Sequence, residues 1–311
     1  MELLRIKKDI PFMRFAHVTV VISLLTFIAA VFFLYTRGLN FAVDFTGGTV
    51  MQVHYDHPMD ISIVRTELGQ SNLGLRDVVV QKIGNANDVL IRMRSKDGAS
   101  SSKVGDEVMA VLSRTTPGVQ LRSVEYVGPE VGKELANNGA LALLVVSVGI
   151  MLYLTMRFEW RFAVSGIIAN LHDIVIILGM FAAFQWEFSL PVLAGVLAVL
   201  GYSVNESVIV FDRIRENFRK MRTASVPQVI NNAITRTMSR TVITHAMTQT
   251  MVCAMLFFGG PPLHYFALAL TIGIIFGIYS SVLVASPLVM WLGVSRSDLV
   301  KSGKREGVAQ S

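Results

Sequence analysis

The sequence contains few of the residues on which redox enzymes, metalloproteins and hydrolases depend. Its 311 residues include a single cysteine, Cys253, which excludes an intrachain disulfide, a CxxC redox pair and a thiolate metal cluster. Neither the HExxH motif of zinc hydrolases nor the GxSxG motif of serine hydrolases occurs. We therefore expect a protein that is not an enzyme and that binds no metal or other cofactor.

Charge is also scarce, whereas hydrophobic residues are abundant. Charged residues make up 16% of the chain and hydrophobic residues 52%, with a mean hydropathy of +0.54, which is too apolar for a soluble domain of this length. Several stretches are long enough to cross about 30 Å of hydrocarbon. They lie near residues 15–35, 135–156, 162–184, 190–211, 242–258 and 265–292. This pattern predicts an α-helical polytopic membrane protein with six transmembrane helices.

The basic residues predict the orientation of these helices. Of 28 Lys and Arg residues, 17 lie before the first span, after the last, or in the loops that follow the second and fourth spans. The short loops after the third and fifth spans contain none, so the positive-inside rule places both termini in the cytoplasm. The expected segments are a cytoplasmic N-terminus (1–14), a first transmembrane helix (15–36), a periplasmic loop (37–134), transmembrane helices two to six (135–292) with a basic cytoplasmic loop at about 212–241, and a cytoplasmic tail (293–311).

The N-terminal apolar run and the net charge follow from the same topology. A cleaved signal peptide has an apolar core of roughly 7 to 15 residues, whereas this run is about 20 residues long. We therefore expect a membrane span there. Most of the net charge of +6 is explained by the basic residues expected on the cytoplasmic side. We therefore expect the chain to contact membrane lipid and to bind no nucleic acid.

The polar loop at residues 37–134 has the pattern of a folded domain. Helix-like stretches start after Asp60 and at about residue 102. Strand-like stretches lie at residues 49–55, 77–83, 89–94 and 119–127. The order β-α-β-β-α-β predicts an α+β, ferredoxin-like domain with two helices on one face of the sheet. His54 and His57 lie in this domain, but we interpret them as structural because no third metal ligand accompanies them.

A glycine pair marks the entry to this domain. Residues 43–48 read Val-Asp-Phe-Thr-Gly-Gly, so Gly47 and Gly48 follow closely after Asp44 and Phe45. Glycine tolerates backbone conformations and close approaches that other residues do not. Two interpretations stay open, namely a backbone held tightly where the first span meets the domain, or a plain hairpin turn.

Carboxylates are the most costly polar groups inside the spans. Glu206 lies beside Asn205 in the fourth span, and a charge at the centre of a membrane helix costs roughly 2.5 to 3.5 kcal/mol on insertion scales. Asp173 lies near the middle of the third span, next to His172 and on the same helix face as Asn170. For Asp173 two interpretations stay open, a proton or ion role and a static polar clamp held by His172 or Asn170.

The fifth span is polar along one side. The residues at helical spacing are Arg240, Thr241, Thr244, His245 and Thr248. Considered alone, Arg240 would extend towards the membrane interface. Paired with Glu206 it would form a switch, because protonation of the carboxylate would release the arginine.

Small residues recur at four-residue intervals in two of the spans. The last span contains Gly273, Gly277, Ser281 and Ala285, and the fourth pairs Ala194 with Ala198 and Gly201 with Asn205. This pattern is typical of close helix packing in membranes. The sequence leaves open whether these faces meet this chain or a partner.

Taken together, the motifs resemble those of the SecD/SecF family, in particular its smaller SecF subunits, which assist bacterial Sec export and are related to the RND superfamily of proton-driven transporters. The matching residues are 43–48, Leu171-His172-Asp173, Gly201-Tyr202-Ser203 with Asn205, Phe211-Asp212-Arg213-Ile214-Arg215-Glu216-Asn217 and Arg240-Thr241. They occur in order over most of residues 41–245. The plan of six spans with one large outer domain agrees.

The resemblance implies an RND-like half-bundle in the bacterial cytoplasmic (inner) membrane that uses the proton-motive force to promote late stages of export. The implied partners are SecD, the SecYEG channel, YajC and a SecA-driven preprotein in transit. In the family, the residue after Asn205 is typically an aspartate that takes part in proton movement with the arginine matching Arg240 and an aspartate of SecD. This sequence has Glu206 there, and its extra methylene lengthens the reach of the acid. We therefore expect a proton relay of Glu206, Arg240, Asn205 and Asp173.

Other functions share some of these features. Half of an RND-type exporter of small molecules or lipids would contain the same carboxylates, whereas a purely structural partner would tolerate Glu206→Gln. The charged run at residues 212–222 is also open to two interpretations. It is either a basic, lipid-facing helical extension that fixes orientation or a contact with SecD or the channel.

Overall fold

The computed structural model describes residues 8–71, 76–82, 87–94 and 101–296. In chain order the first elements are α1 (Ala16–Thr36, after a 3-10 turn at Phe12–Phe15), β1 (Asn40–Phe41), α2 (Val43–Thr46), β2 (Gly48–His54), α3 (Ile61–Gln70), β3 (Arg76–Lys82), β4 (Asp88–Arg94), α4 (Ser101–Thr115) and β5 (Gln120–Val127). They are followed by α5 (Pro129–Arg157), α6 (Trp160–Phe184), β6 (Glu187–Phe188), α7 (Leu190–Lys220), α8 (Val226–Phe258), α9 (Gly260–Ser280), a π-helical segment (Ser281–Ala285) and α10 (Ser286–Trp291).

Within the described residues, six helices are long and apolar enough to cross a membrane, which confirms the predicted membrane class. They are α1, α5, α6, α7, α8 and the continuous run from α9 to α10. In their most apolar stretches, at least half of the residues of α6, α7 and the last span are buried, against less than a fifth in α1, α5 and α8. The three inner helices are therefore the place where polar side chains can be shielded from lipid.

Helices α7 and α8 extend beyond the apolar stretches from which they were predicted. The region at residues 212–241, expected as a basic loop, is mostly helical, and only residues 221–225 separate the two helices. Its charges pair at helical spacing, Arg213 with Glu216 at 2.6 Å and Glu216 with Lys220. Such pairs favour helix outside the membrane, a feature that counting basic residues does not reveal.

The domain between α1 and α5, here called the loop domain (Gly48–Val127), contains a four-stranded sheet in the order β3-β4-β2-β5. All neighbouring strands are antiparallel. Strand residues alternate between two faces, so Met51 and Val53 contact α3 and α4. The buried core on that side consists of Met51, Val53, Tyr55, Val64, Leu68, Val80, Val89, Ile91, Met93, Val104, Val108 and Leu112. The turn expected between β3 and β4 includes residues 83–86, which lie outside the described residues.

Two adjacent glycines attach the loop domain to the bundle. Gly47 has a φ of 71° and Gly48 a φ of 139°, both in a region that favours glycine. A Cβ at Gly47 would lie 2.7 Å from the Cα of Pro129 in α5, and one at Gly48 would lie 2.7 Å from the carbonyl oxygen of Met93 in β4. The backbone is therefore held tightly against both neighbours. The second interpretation of this motif, a plain hairpin turn, is wrong, because the glycines follow the helix α2 rather than a strand.

The other face of the sheet faces the end of the bundle across a cavity of about 640 Å³. Beside it, the guanidinium of Arg92 on β4 donates to Glu187 Oε2 on β6 at 2.7 Å and to Gln81 Oε1 at 3.1 Å. Burial raises the pKa of Glu187, Arg92 acts in the opposite direction, and Asp44 adds to the rise. Because burial dominates, the guanidinium offsets only part of the cost of desolvating the carboxylate.

Substitution of either motif glycine should loosen this junction. We expect Gly47→Ala and Gly48→Ala each to lower the free energy of unfolding by about 2 kcal/mol, because each adds an overlap to an unfavourable backbone conformation. Gly69→Ala in α3 is the matched control, since a Cβ there meets nothing within 4 Å, and it should stabilise by about 0.5 kcal/mol. Thermal unfolding in detergent measures both, and equal melting temperatures for the three variants would contradict the packing described.

Removal of the Arg92 guanidinium should leave the Glu187 carboxylate buried without a charged partner. We expect Arg92→Met to destabilise the loop domain by about 3 kcal/mol and a further Glu187→Gln substitution to restore most of that loss. Because the folded state raises the pKa of Glu187, its contribution favours folding at low pH and is lost as the pH rises through that pKa. The deficit of Arg92→Met should therefore shrink on acidification.

Proteolysis of the loop domain across a pH series measures this prediction. Strict additivity of the two substitutions would show that the two side chains are not coupled.

Candidate functional site

The first of two buried polar clusters surrounds Asp173 on α6. Its carboxylate is fully buried and accepts hydrogen bonds from Ser203 Oγ on α7 at 2.6 Å and from Ser280 Oγ on α9 at 2.8 Å. His172 Nδ1 lies 3.3 Å from the carboxylate, and His172 Nε2 lies 2.8 Å from Ser23 Oγ on α1. This cluster, here called the Asp173 cluster, therefore connects four helices.

The Asp173 cluster has the geometry of a polar clamp. Hydroxyl groups from two helices satisfy a carboxylate that would be costly to bury alone. His172, one of the two holders expected from the sequence, contacts Asp173. Asn170 does not, because its side-chain amide has no hydrogen-bond partner among the described residues and lines a small cavity with Ser147 and Leu200. A proton role for Asp173 stays a prediction.

The π-helical segment of the last span begins directly after Ser280. Its altered pitch leaves backbone carbonyls to be satisfied by other groups. Ser286 Oγ donates to the carbonyl of Ser281 at 3.1 Å, and Thr19 Oγ1 on α1 donates to the carbonyl of Leu283 at 3.1 Å. The irregular segment is thus stabilised by hydroxyl groups next to the Asp173 cluster.

The second cluster surrounds Glu206 on α7 and is here called the Glu206 cluster. Glu206 is only 4% exposed. Its Oε1 accepts a hydrogen bond from Thr241 Oγ1 at 2.5 Å, and its Oε2 lies 3.3 Å from His245 Nε2. Thr241 and His245 are one turn apart on α8, so both reach the same carboxylate. The Tyr202 ring packs edge-on against His245 with centroids 4.7 Å apart, and its hydroxyl donates to Thr248 Oγ1 at 3.3 Å.

The Glu206–Arg240 pair considered from the sequence is absent from the structure. Arg240 is exposed on α8 and forms no ion pair with the described residues. The reason is helical geometry, because Thr241 faces α7 and the preceding residue points about 100° away from it. Asn205 and Gly201 are exposed on α7 as well. These three expected site residues therefore lie on a surface that the chain itself leaves uncovered.

The role of His245 as the nearest titratable neighbour of Glu206 was missed in the sequence interpretation. The available signal was its spacing of four residues from Thr241, which indicated a shared polar face on the fifth span. That spacing does not tell which neighbouring helix the face contacts. The structure supplies this information by packing α8 on α7.

Helix α7 belongs to both clusters, and small residues allow the last span to approach it. Gly273 faces the side chain of Val199, where an added Cβ would overlap, and a Cβ at Gly277 would lie 3.5 Å from Ser203. Ser281 is buried in the π-helical segment and donates to the carbonyl of Ile278 at 3.1 Å. The small-residue ladder of the last span therefore packs on this chain's own α7, at least as far as Gly277.

The charged end of α7 also contacts the chain itself. Asp212 accepts two hydrogen bonds from Arg157 at the end of α5, at 2.9 and 3.0 Å. Arg215 donates to Glu159 Oε1 before α6 at 3.3 Å, and the buried amide of Asn217 donates to two oxygens of α8. This side of the motif therefore packs on protein rather than lipid. A contact with another protein through the remaining side stays a prediction.

The glycine motif reaches the opposite end of α7. Asp44 Oδ2 accepts a hydrogen bond from the backbone N–H of Leu190, the first residue of α7, at 2.8 Å. A carboxylate at a helix N-terminus satisfies a free N–H group and is favoured by the helix dipole. Phe45 packs beside Phe41 and Phe188. These contacts fix the start of α7 to the junction with the loop domain.

The histidines of the loop domain lie in an ordinary polar environment. His54 Nδ1 is 2.7 Å from Asp88 Oδ1 and 3.1 Å from an Arg122 nitrogen. Across the part of the chain that the structure describes, no group of three or more His, Cys, Asp and Glu side chains is placed to hold a metal ion.

Comparison with known proteins places these features in a family. The family model described as "Protein export membrane protein SecD/SecF, C-terminal" matches residues 107–295, and the "SecD/SecF GG Motif" model matches residues 32–59. The chain is 42% identical over 300 residues to the protein translocase subunit SecF of Vibrio alginolyticus, covering 96% of this chain and 95% of the relative. It is 40% identical over 301 residues to the corresponding protein of Pseudomonas aeruginosa, covering 96% of each.

A solved structure agrees with the fold. The crystal structure of SecDF from Thermus thermophilus, described as a translocon-associated membrane protein, superimposes with a TM-score of 0.84 at 32% identity. The match covers 93% of this chain but only 39% of the longer SecDF chain. Because a family model matches more than half of the chain and the relatives match over nearly its full length, the chain belongs to the SecD/SecF family of protein export membrane proteins, among its SecF subunits.

Proposed function

We propose that this chain is an auxiliary subunit of the bacterial Sec translocase that, paired with SecD, uses the proton-motive force to promote late stages of preprotein export through SecYEG. The observation that carries this proposal is the buried carboxylate of Glu206, held by Thr241 and His245 inside a membrane bundle. An ionisable group kept in such a place at a cost is typical of a proton path. The chain's relatives named as translocase subunits support the export role.

A proton at this carboxylate changes the forces between two helices. The ionised form accepts a hydrogen bond from Thr241, whereas the protonated form gains a donor and loses its charge. The contact between α7 and α8 therefore depends on protonation. One charge crossing the membrane releases about 2.3 kcal/mol per 100 mV, which is enough to bias such a two-state contact.

The uncovered surface around Arg240 supports a SecD partner. An arginine stays charged under all ordinary conditions, so its exposure towards lipid would be unfavourable in a membrane. Arg240, Asn205 and Gly201 are all exposed on neighbouring helices. We propose that SecD covers them and supplies an acidic partner to Arg240. The solved SecDF chain, of which this chain matches 39%, supports that pairing.

The proposed topology places the loop domain in the periplasm and both termini in the cytoplasm. The support is the distribution of basic residues, including Arg157 and Arg213 at the end of the bundle opposite the loop domain. The strand order β3-β4-β2-β5 with two helices on one face supports a ferredoxin-like domain. In this proposal its movement draws the emerging preprotein outward. YajC is a further partner implied by family resemblance.

Substitution at the two charged positions tests the proton role. We expect Glu206→Gln and Arg240→Met each to abolish the stimulation of export by a proton gradient, because the first cannot be deprotonated and the second removes the charge offered to SecD. Glu206→Asp should keep part of the stimulation, since it keeps the acid. Arg236→Met, at an exposed position one turn before Arg240, is the matched control and should leave stimulation intact.

Preprotein export into membrane vesicles, with and without a proton gradient, measures the effect, and copurification with SecD and SecYEG checks assembly. Full stimulation in both Glu206→Gln and Arg240→Met would overturn the proton role. Copurification with a periplasmic adaptor in place of SecD and SecYEG would favour an RND-type exporter instead.

A further inference from the structure

Glu206 and His245 form a buried pair of titratable side chains. Both side chains are nearly inaccessible, at 5% and 4% exposure, and Glu206 Oε2 lies 3.3 Å from His245 Nε2. The other carboxylate oxygen is occupied by the Thr241 hydroxyl. Within the described residues, no hydrogen bond or ion pair joins Arg240 to either group. The nearest group able to exchange a proton with Glu206 is therefore the imidazole.

The contacts favour one arrangement of protons in the pair. An ionised carboxylate can only accept hydrogen bonds, so beside an ionised Glu206 the Nε2 atom of His245 would carry the proton and donate it to Oε2. In the neutral ring the proton is then on Nε2, and Nδ1 has a free lone pair. His245 Nδ1 is buried and has no hydrogen-bond partner among the described residues. A buried acceptor without a hydrogen-bond partner costs free energy, so its presence calls for an explanation.

Other titratable groups near the pair are few. Helix α7 contributes Tyr202, whose ring packs against His245, and α8 contributes Arg240 on its outer side. Helix α6 reaches α7 through Asp173, which accepts a hydrogen bond from Ser203 one turn before Glu206 and is itself contacted by His172. No hydrogen bond or ion pair described in this structure joins α9 to the pair. Of the side chains in direct contact with Glu206, the imidazole of His245 belongs to the residue type that most commonly exchanges protons near neutral pH.

We propose that His245 delivers the proton to Glu206. An incoming proton binds Nδ1 of the neutral ring and gives an imidazolium beside the carboxylate. The Nε2 proton then passes to Glu206 Oε2, which leaves a neutral carboxylic acid and a neutral ring protonated on Nδ1. One proton has been added and no charge remains in the pair. Loss of a proton by the reverse steps restores the starting state.

This inference rests on the proposed proton role of Glu206, but it assigns the relay to a different residue. Arginine cannot release its proton in proteins, so Arg240 can set the local field without carrying a proton. Thr241 fixes one carboxylate oxygen and leaves the other for the imidazole. Tyr202 holds the ring edge-on and so orients Nε2 towards Glu206.

A glutamine at position 245 separates relaying from positioning. His245→Gln keeps a side-chain N–H that can donate to Glu206, but an amide cannot accept and pass on a proton. We expect it to lose most of the proton-dependent stimulation of export, since removing a proton-transferring side chain slows transfer by about a hundredfold or more. The export that persists without a proton gradient should be unchanged. His264→Gln, which alters an exposed histidine near the loop domain, is the control and should retain stimulation.

The pH dependence of stimulation provides a second measurement. In the wild type, the pH dependence of stimulation should reflect the protonation of both Glu206 and His245. Any stimulation left in His245→Gln should depend on the protonation of Glu206 alone. Thermal unfolding and copurification with SecD show whether the variant is folded. If it is not, nitrogen-15 NMR of labelled histidine in the wild type replaces it, and a His245 ring protonated on Nδ1 alone at rest would overturn the relay.

The outcomes separate the two proposals. Full stimulation in His245→Gln together with loss in Glu206→Gln would overturn the relay and leave the proton role of Glu206 intact. Full stimulation in both variants would overturn both. Loss in both, with folding and assembly preserved, is the expected result.

Discussion

A carboxylate buried in a membrane bundle has to be satisfied by side chains from the neighbouring helices, and this requirement organises the inner helices of the chain. Asp173 binds hydroxyl groups from α7 and α9, and Glu206 binds a hydroxyl group from α8. Because Ser203 and Glu206 lie one turn apart on α7, that helix takes part in both interactions. The two clusters differ in one physical respect. Each carboxylate contacts a hydroxyl group and a histidine, but the other ring nitrogen of His172 is bound to Ser23, whereas Nδ1 of His245 has no hydrogen-bond partner among the described residues.

Helix α7 also connects these clusters to both ends of the molecule. Its first N–H donates to Asp44 of the glycine motif, where the loop domain begins, and its charged end binds Arg157 and Glu159 through Asp212 and Arg215. A change in the contact between α7 and α8 would therefore act on a helix whose start is bound to α2, directly before the loop domain. This is a physical connection along one rigid element, and it gives the proposed movement of the loop domain a mechanical basis.

Hydropathy predicted the membrane spans well because burial in lipid requires long apolar helices. The charged extension of α7 and α8 was expected as a loop, because its helical form depends on side-chain pairs and on packing against α5 and α6. Within the site, polarity and spacing identified Asp173 and Glu206. They did not identify their partners, because a rotation of about 100° per residue decides whether Arg240 or Thr241 faces α7, and only packing sets that rotation. The residues left exposed, Asn205 and Arg240, lie on the surface that we propose a partner covers.

The central claim is that Glu206 gains and loses a proton inside the bundle. Infrared difference spectroscopy on the protein reconstituted with SecD tests this directly, because the carbonyl stretch of a protonated carboxyl group is separate from that of a carboxylate. Spectra recorded at acidic minus alkaline pH should contain a protonated-carboxyl band that is missing from Glu206→Gln and present in the matched variant of an exposed acid, Glu125→Gln. Identical difference spectra for the wild type and Glu206→Gln would contradict the account.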